Sequence, residues 1–166
     1  MELRRLGTPP RVKVLEALGA LADGRVVGEG GGRFRVTSSD GSRSYSVYVE
    51  PKGSGRFVAC STDNGTVLRG YVGYPIISAL MVLGYLPRDA VVERALSGIP
   101  WRRLNESLRR YYLVEREVLK VASARGVASS RVEQLVSRVL STLESYELLY
   151  DPSICGAAHG EVEDTD

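Results

Sequence analysis

The stretch Gly98–Tyr112, GIPWRRLNESLRRYY, sets Arg102, Arg103, Arg109 and Arg110 among Trp101, Tyr111 and Tyr112. Guanidinium groups take phosphate oxygens two at a time and also lie flat on rings. Aromatic side chains stack on unpaired bases without regard to sequence. The two kinds of residue together suit a polyanion whose units have planar faces. The spacing predicts one long helix from about Pro100 to Ala124. On its wheel Arg102, Arg109 and Arg116 share a stripe, and Leu104, Leu108, Tyr111, Val118 and Ala122 lie opposite, flanked by Trp101 and Tyr112. Glu106 stands four residues from both Arg102 and Arg110, which also fits a solvated helix laced with ion pairs.

A second basic and aromatic set comes from predicted strands. SDGS and DNGT read as two-residue turns at Asp40-Gly41 and Asn64-Gly65. The first turn opposes Val36 to Tyr45 and Phe34 to Val47. The second opposes Ala59 to Gly70 and Phe57 to Val72, with Leu68 on the same side. Alternation then gives one apolar face of Phe34, Val36, Tyr45, Val47, Val49 and Phe57. The other face collects Arg33, Arg35, Tyr48, Arg56, Arg69 and Tyr71, with Glu50 as its one carboxylate. A solvated sheet face normally mixes both signs of charge, so this face reads as a contact surface.

Other chemistries lack material. The carboxylates are scattered singly, and His159 is the one histidine, so no catalytic set, metal centre or cofactor site is expected. GEGGGR at 28–33 lacks the Gly-Lys-Ser/Thr ending of a phosphate loop and reads as a connector. Cys60 and Cys155 fit no metal or redox spacing and read as free thiols. No apolar run is long enough for a membrane span, and the first ten residues do not resemble a signal peptide, which makes the cytoplasm the expected compartment. Of the 22 basic residues all but Lys13, Lys52 and Lys120 are arginine. The net charge of +2 divides unevenly, because residues 151–166 carry five acidic side chains and no Lys or Arg, leaving the rest at +7. A basic body with an acidic tail is a nucleic-acid pattern.

The elements that must position these residues follow from periodicity. TPPRVKVLEALGALADG is a helix capped at Thr8, with Val12, Leu15, Leu18 and Leu21 buried. Four antiparallel strands form a meander. YPIISALMVLGYLP and Asp89–Leu96 are short packing helices. The last helix, Ser129 or Ser130 to Tyr150, repeats Val132, Val136, Val139, Leu143 and Tyr146 at four- and three-residue intervals. That seam suits self-association into a dimer or higher oligomer, or docking on the chain's own domain. The expected organisation is α+β: a nucleic-acid-binding domain over 1–126, an association helix over 127–150 and a disordered acidic tail over 151–166 that solubilises the chain or meets protein partners.

The layout of helix, four-stranded meander, GYPIISALMVLGYLP, LSGIPWRRLNESLRRYY and a heptad-like last helix resembles the ThermoDBP family of single-stranded-nucleic-acid-binding proteins from hyperthermophilic archaea. The resemblance covers residues 8–150 in layout and is strongest over 73–112. It implies a cleft with an aromatic floor and basic edges, and association through C-terminal helices. By that resemblance Tyr48, Phe57, Tyr71 and Trp101 are floor residues, and Arg33, Arg35, Arg56, Arg69, Arg102 and Arg103 are edge residues. The expected function is non-catalytic binding of single-stranded DNA or RNA with little sequence preference. The alternative is a winged-helix-like regulator that reads duplex DNA with the last helix, since VSRVLSTLESYELL also has the look of a recognition helix.

Overall fold

Alternation decides how the sheet sits. Phe34, Val36, Tyr45, Val47, Val49, Phe57 and Ala59 are all buried, and they turn one face of the sheet onto the helices. The computed structural model of the chain describes residues 2–155. Its strands are β1 (Arg4–Arg5), β2 (Val26–Gly30), β3 (Arg33–Thr37), β4 (Ser44–Gly53), β5 (Arg56–Ser61) and β6 (Glu147–Tyr150), in the order β1-β6-β5-β4-β3-β2. The β5–β6 pair is parallel and the others are antiparallel. The helices are α1 (Arg11–Ala22), α2 (Asn64–Val67), α3 (Tyr74–Val82), α4 (Ala90–Ala95), α5 (Trp101–Leu108), α6 (Tyr111–Ala124), α7 (Ser129–Ser145) and α8 (Pro152–Cys155).

The α+β class stands, but the four-stranded antiparallel meander is overturned by this six-stranded mixed sheet. The first hairpin keeps its register, with Phe34 opposite Val47 and Val36 opposite Tyr45. The second hairpin does not exist. Asp63 accepts hydrogen bonds from the Thr66 backbone N–H at 3.1 Å and the Thr66 hydroxyl at 2.9 Å, so Asn64-Gly65 opens α2 instead of turning a hairpin. Leu68 is consequently 69% exposed, and Arg69 and Tyr71 leave the sheet. GEGGGR forms the end of β2 and the tight turn into β3. Gly30, Gly31 and Gly32 all have positive φ, and a Cβ at Gly32 would strike the Val49 carbonyl oxygen.

The expected helix over 100–124 breaks at Arg109, which adopts the left-handed conformation at φ 62° and ends α5. The arginine stripe of that wheel is therefore split between two helices. The last helix stops at Ser145. Tyr146 turns extended and β6 slides in beside β5, with Leu148 against Phe57. Val132, Val136, Val139 and Leu143 are buried in the chain's own core, and Tyr146 packs against it while its hydroxyl donates to the Tyr85 carbonyl at 2.6 Å. The seam expected to serve association is thus spent within the chain. Thr8 does not cap α1, whose N-cap is Pro10.

The cysteines are not free. Cys60 on β5 and Cys155 on α8 form a disulfide with Cα atoms 5.2 Å apart. The fold brings them together because β6 returns the chain to β5 just before Pro152. Of the expected disordered tail, residues 151–155 are ordered by this contact, and residues 156–166 lie outside the described residues. Among the described residues no helix is long and apolar enough to cross a membrane, and no cluster of side chains suits a metal ion.

Candidate nucleic-acid interface

The second sheet face does not carry the basic surplus expected of it. Strands β2 and β6, absent from the sequence reading, bring carboxylates to it. Glu29 on β2 lies 3.4 Å from Arg35, and Glu147 on β6 lies 2.8 Å from Arg56. Arg33 stacks on the Tyr48 ring at 4.6 Å and donates to the Ile154 carbonyl at 3.1 Å, so the chain's own α8 covers part of this face. Phe57 lies on the opposite side, 3% exposed, with its ring edge-on to Tyr85 and Tyr146. Arg33, Arg35, Tyr48, Arg56 and Phe57 therefore do not form one open cationic and aromatic platform.

Basic and aromatic residues meet elsewhere, in a cleft of about 420 Å³. One wall is α1, with Lys13 and Glu16. Another is the α5–α6 corner, with Trp101, Arg102, Asn105, Arg109 and Tyr111. The β3–β4 loop contributes Ser38 and Ser39, and the segment from α2 into α3 contributes Asn64, Gly65, Arg69, Tyr71 and Tyr74. Tyr45 and Arg25 complete the lining together with Glu106. Four tyrosines and the one tryptophan face the same space as Lys13, Arg25, Arg69, Arg102 and Arg109, against two carboxylates.

Each wall is held by a local interaction. The α2 turn is pinned from beneath by Asp63, which also accepts from the Ser61 hydroxyl and lies so close under Gly73 that a Cβ there would strike the carboxylate. Burial raises the pKa of this fully enclosed acid, against the hydrogen bonds from Ser61 and Thr66. Gly19 lets the Trp101 indole lie against α1, because a Cβ at Gly19 would sit 2.7 Å from Trp101 Nε1. The β3–β4 loop is folded by Asp40, which accepts from the Ser38 hydroxyl and from the Ser42 N–H and hydroxyl. The Ser42 bonds are the main reason its carboxyl is lowered to about 2. Arg102 ties that loop to α5 through Ser42 at 3.0 Å and Asp40 at 3.5 Å, and also faces Glu106 at 3.5 Å.

The floor is polar at its inner end. Glu16 accepts from Lys13 at 3.1 Å and from the Asn105 amide at 3.2 Å. Burial alone would lower the Lys13 pKa, but attraction from Glu16 outweighs it and the ammonium titrates above its ordinary value. Asn105 Oδ1 and Trp101 Nε1 are buried without a hydrogen-bond partner among the described residues. Buried polar atoms are almost always paired, so two such atoms on one helix mark a floor whose polar needs the chain does not itself meet. At the mouth the Tyr71 and Tyr111 hydroxyls lie 3.4 Å apart, and Lys13 sits 5.3 Å from the Tyr111 ring centre. Burial and the Tyr111 hydroxyl together raise the Tyr71 pKa.

Of the site residues expected from sequence, the structure gathers Arg69, Tyr71, Trp101 and Arg102 at this cleft. Arg103 is exposed on α5 outside its lining. The sequence reading missed Lys13, Glu16, Arg25, Asn105, Arg109 and Tyr111 as site residues. Arg109, Tyr111 and Asn105 stand in the same GIPWRRLNESLRRYY stretch, so the signal for half of these was present. The side chains of Arg69 and Arg109 make no ion pair or hydrogen bond among the described residues, whereas Arg33, Arg35 and Arg56 are all engaged.

No curated protein and no solved structure matches the chain. A family model, described as uncharacterised conserved protein UCP014422, matches residues 6–149. That span runs from the start of the fold to β6 and includes every wall of the cleft, and the chain belongs to this family.

Proposed function

We propose that this chain binds single-stranded DNA or RNA, without a chemical step and with little sequence preference, through the cleft between α1, α2 and the α5–α6 corner. The observation that carries this reading is the meeting of five aromatic and five cationic side chains in one cleft, with Arg69 and Arg109 free of internal carboxylates. Unpaired bases need flat partners and phosphates need cations, and the cleft offers both. Burial of four other cations in internal pairs on the sheet and loops argues for this cleft over the sheet face. The resemblance to the ThermoDBP family points to the same ligand. The duplex-reading alternative is less well supported: α7 buries its apolar side, and Arg131 on it is held by Asp89 at 2.9 Å.

The cytoplasm remains the proposed compartment. A cytoplasmic protein with the Cys60–Cys155 bridge fits a hyperthermophile, where intracellular disulfides are common. The test is a titration of fluorescent oligo(dT), oligo(U) and a duplex of equal length at two salt concentrations. Single strands should bind more tightly than the duplex, and the preference should fall with salt. Equal or tighter duplex binding refutes the reading.

A further inference from the structure

The chain beyond Cys155 supplies a competitor for its own cleft. Residues 156–166, GAAHGEVEDTD, contain Glu161, Glu163, Asp164 and Asp166 and no Lys or Arg. Their starting point is fixed. The disulfide to Cys60 holds Cys155, and Cys155 Sγ lies 3.3 Å from the Ser46 carbonyl oxygen. The same carbonyl accepts the Thr62 N–H at 3.2 Å. Two residues past Thr62, Asn64 and Gly65 are already cleft wall. The tail is therefore rooted beside the end of β5, just around the sheet from the cleft.

Length and charge then select the occupant. An extended chain covers at most about 3.3–3.6 Å per residue, so Glu161 reaches about 20 Å from the root and the last residues reach further. The sheet cations nearest the root are already engaged: Arg33 with Tyr48 and Ile154, Arg35 with Glu29. The cleft instead presents Arg69 and Arg109 without internal partners. Tethering raises the local concentration of the tail to the millimolar range, enough for a weak electrostatic contact to compete.

Resting on the single-strand reading of the cleft, we propose that the acidic segment 156–166 docks at Arg69 and Arg109 and competes there with the phosphates of nucleic acid. The tail thereby sets a threshold that single strands must exceed, and the threshold falls as salt weakens the tail's attraction. The disulfide keeps the competitor close by fixing its root.

The experiment compares the full chain with its full-length variant Glu161→Gln, Glu163→Gln, Asp164→Asn, Asp166→Asn. Oligo(dT) affinity is measured at low and high salt, and amide hydrogen exchange is measured without nucleic acid. The amides of Arg69, Tyr71 and Arg109 are good reporters, because each donates to a carbonyl within the cleft walls. Neutralising the tail should tighten oligo(dT) binding about tenfold at low salt and little at high salt. It should also speed exchange at those amides. Unchanged affinity with unchanged exchange overturns the proposal. Tighter binding with unchanged exchange also overturns docking, leaving the tail as a distant repulsive charge. If neither chain binds oligo(dT), the function proposed for the cleft fails, and the exchange comparison alone decides whether the tail docks.

Discussion

Removing Arg69 or Arg109 should change how binding responds to salt by an amount the structure sets. Five cations line the cleft, but three have internal obligations: Lys13 to Glu16, Arg25 to Asp23 and the Thr37 carbonyl, and Arg102 to Asp40 and Glu106. Arg69 and Arg109 remain to displace counterions from phosphates. Each phosphate neutralised on a single strand contributes about −0.7 to the slope of log affinity against log salt, so two predict a slope of about −1.4. Between 50 and 200 mM salt that is about a sevenfold loss of affinity, and with either arginine replaced by alanine it drops to about 2.6-fold. Fluorescence anisotropy with labelled oligo(dT) at four salt concentrations measures it. Arg33→Ala and Arg56→Ala are the controls. Both side chains are engaged on the other sheet face and should leave the slope unchanged. A slope that follows Arg33 or Arg56 and ignores Arg69 and Arg109 would refute the assignment of the cleft and return the sheet face to consideration.

Four further outcomes test the fold around that site. Gly19→Ala should push the Trp101 indole off α1, costing about 1–3 kcal/mol and shifting tryptophan fluorescence, since its Cβ would sit 2.7 Å from Nε1. Leu143→Ala should cost about 2–5 kcal/mol in denaturant unfolding and leave the oligomeric state by light scattering unaltered, because Leu143 is 5% exposed within the chain's own core. Replacing both cysteines by serine should cost about 2–5 kcal/mol, since the bridge closes a sequence separation of 95 residues; an equal melting temperature would show that the bridge does not constrain the unfolded chain. The Asp40 carboxyl should titrate by NMR near 2, below its ordinary 3.8. A lowered folded pKa means that its stabilising bonds persist above the ordinary value and are lost as pH falls towards about 2, loosening the 38–43 loop; a midpoint near 4 would count against the loop geometry.

The sequence made the local half of this structure legible and hid the half that depends on distant partners. Alternation from Arg33 to Glu50 fixed both the β3–β4 register and the buried face, because each strand's neighbour was six residues away. The same logic misread Asn64-Gly65. A turn dipeptide and a helix opening share those residues, and only the Asp63 cap, made with Thr66, decides between them. Val132 to Tyr146 has heptad spacing whether its partner is another chain or its own core, and spacing alone does not tell them apart. β6 was hidden because ELLY continues an apolar helical pattern. What turns it into a strand is the open edge of β5, with the Glu147 N–H donating to Gly55 across 91 residues from Arg56 to Glu147. The disulfide follows from the same return of the chain, and cysteine spacing alone gives no sign of it.

Those missed strands also explain why counting cations by face misplaced the site. A strand's solvent side belongs to its neighbours as much as to itself, and Glu29 and Glu147 arrive on strands that the sequence did not reveal. What distinguishes a binding surface is the charge left over after internal pairing, and here that remainder is at Arg69 and Arg109. The aromatic faces nearest them are set back: Tyr45, Tyr74 and Trp101 are 1%, 8% and 2% exposed, with Tyr111 at 36% standing at the rim. A stacked duplex keeps its base faces against one another and offers such a recess only its backbone. An unpaired base can enter edge-first beside Tyr111 while its phosphates stay with the two arginines. Tyr111→Ala should therefore cost single-strand affinity about 1–3 kcal/mol, equally at low and high salt, since stacking releases no counterions. A loss that grows as salt is lowered would instead assign Tyr111 to holding Lys13, 5.3 Å from its ring, and remove it from the base-stacking floor.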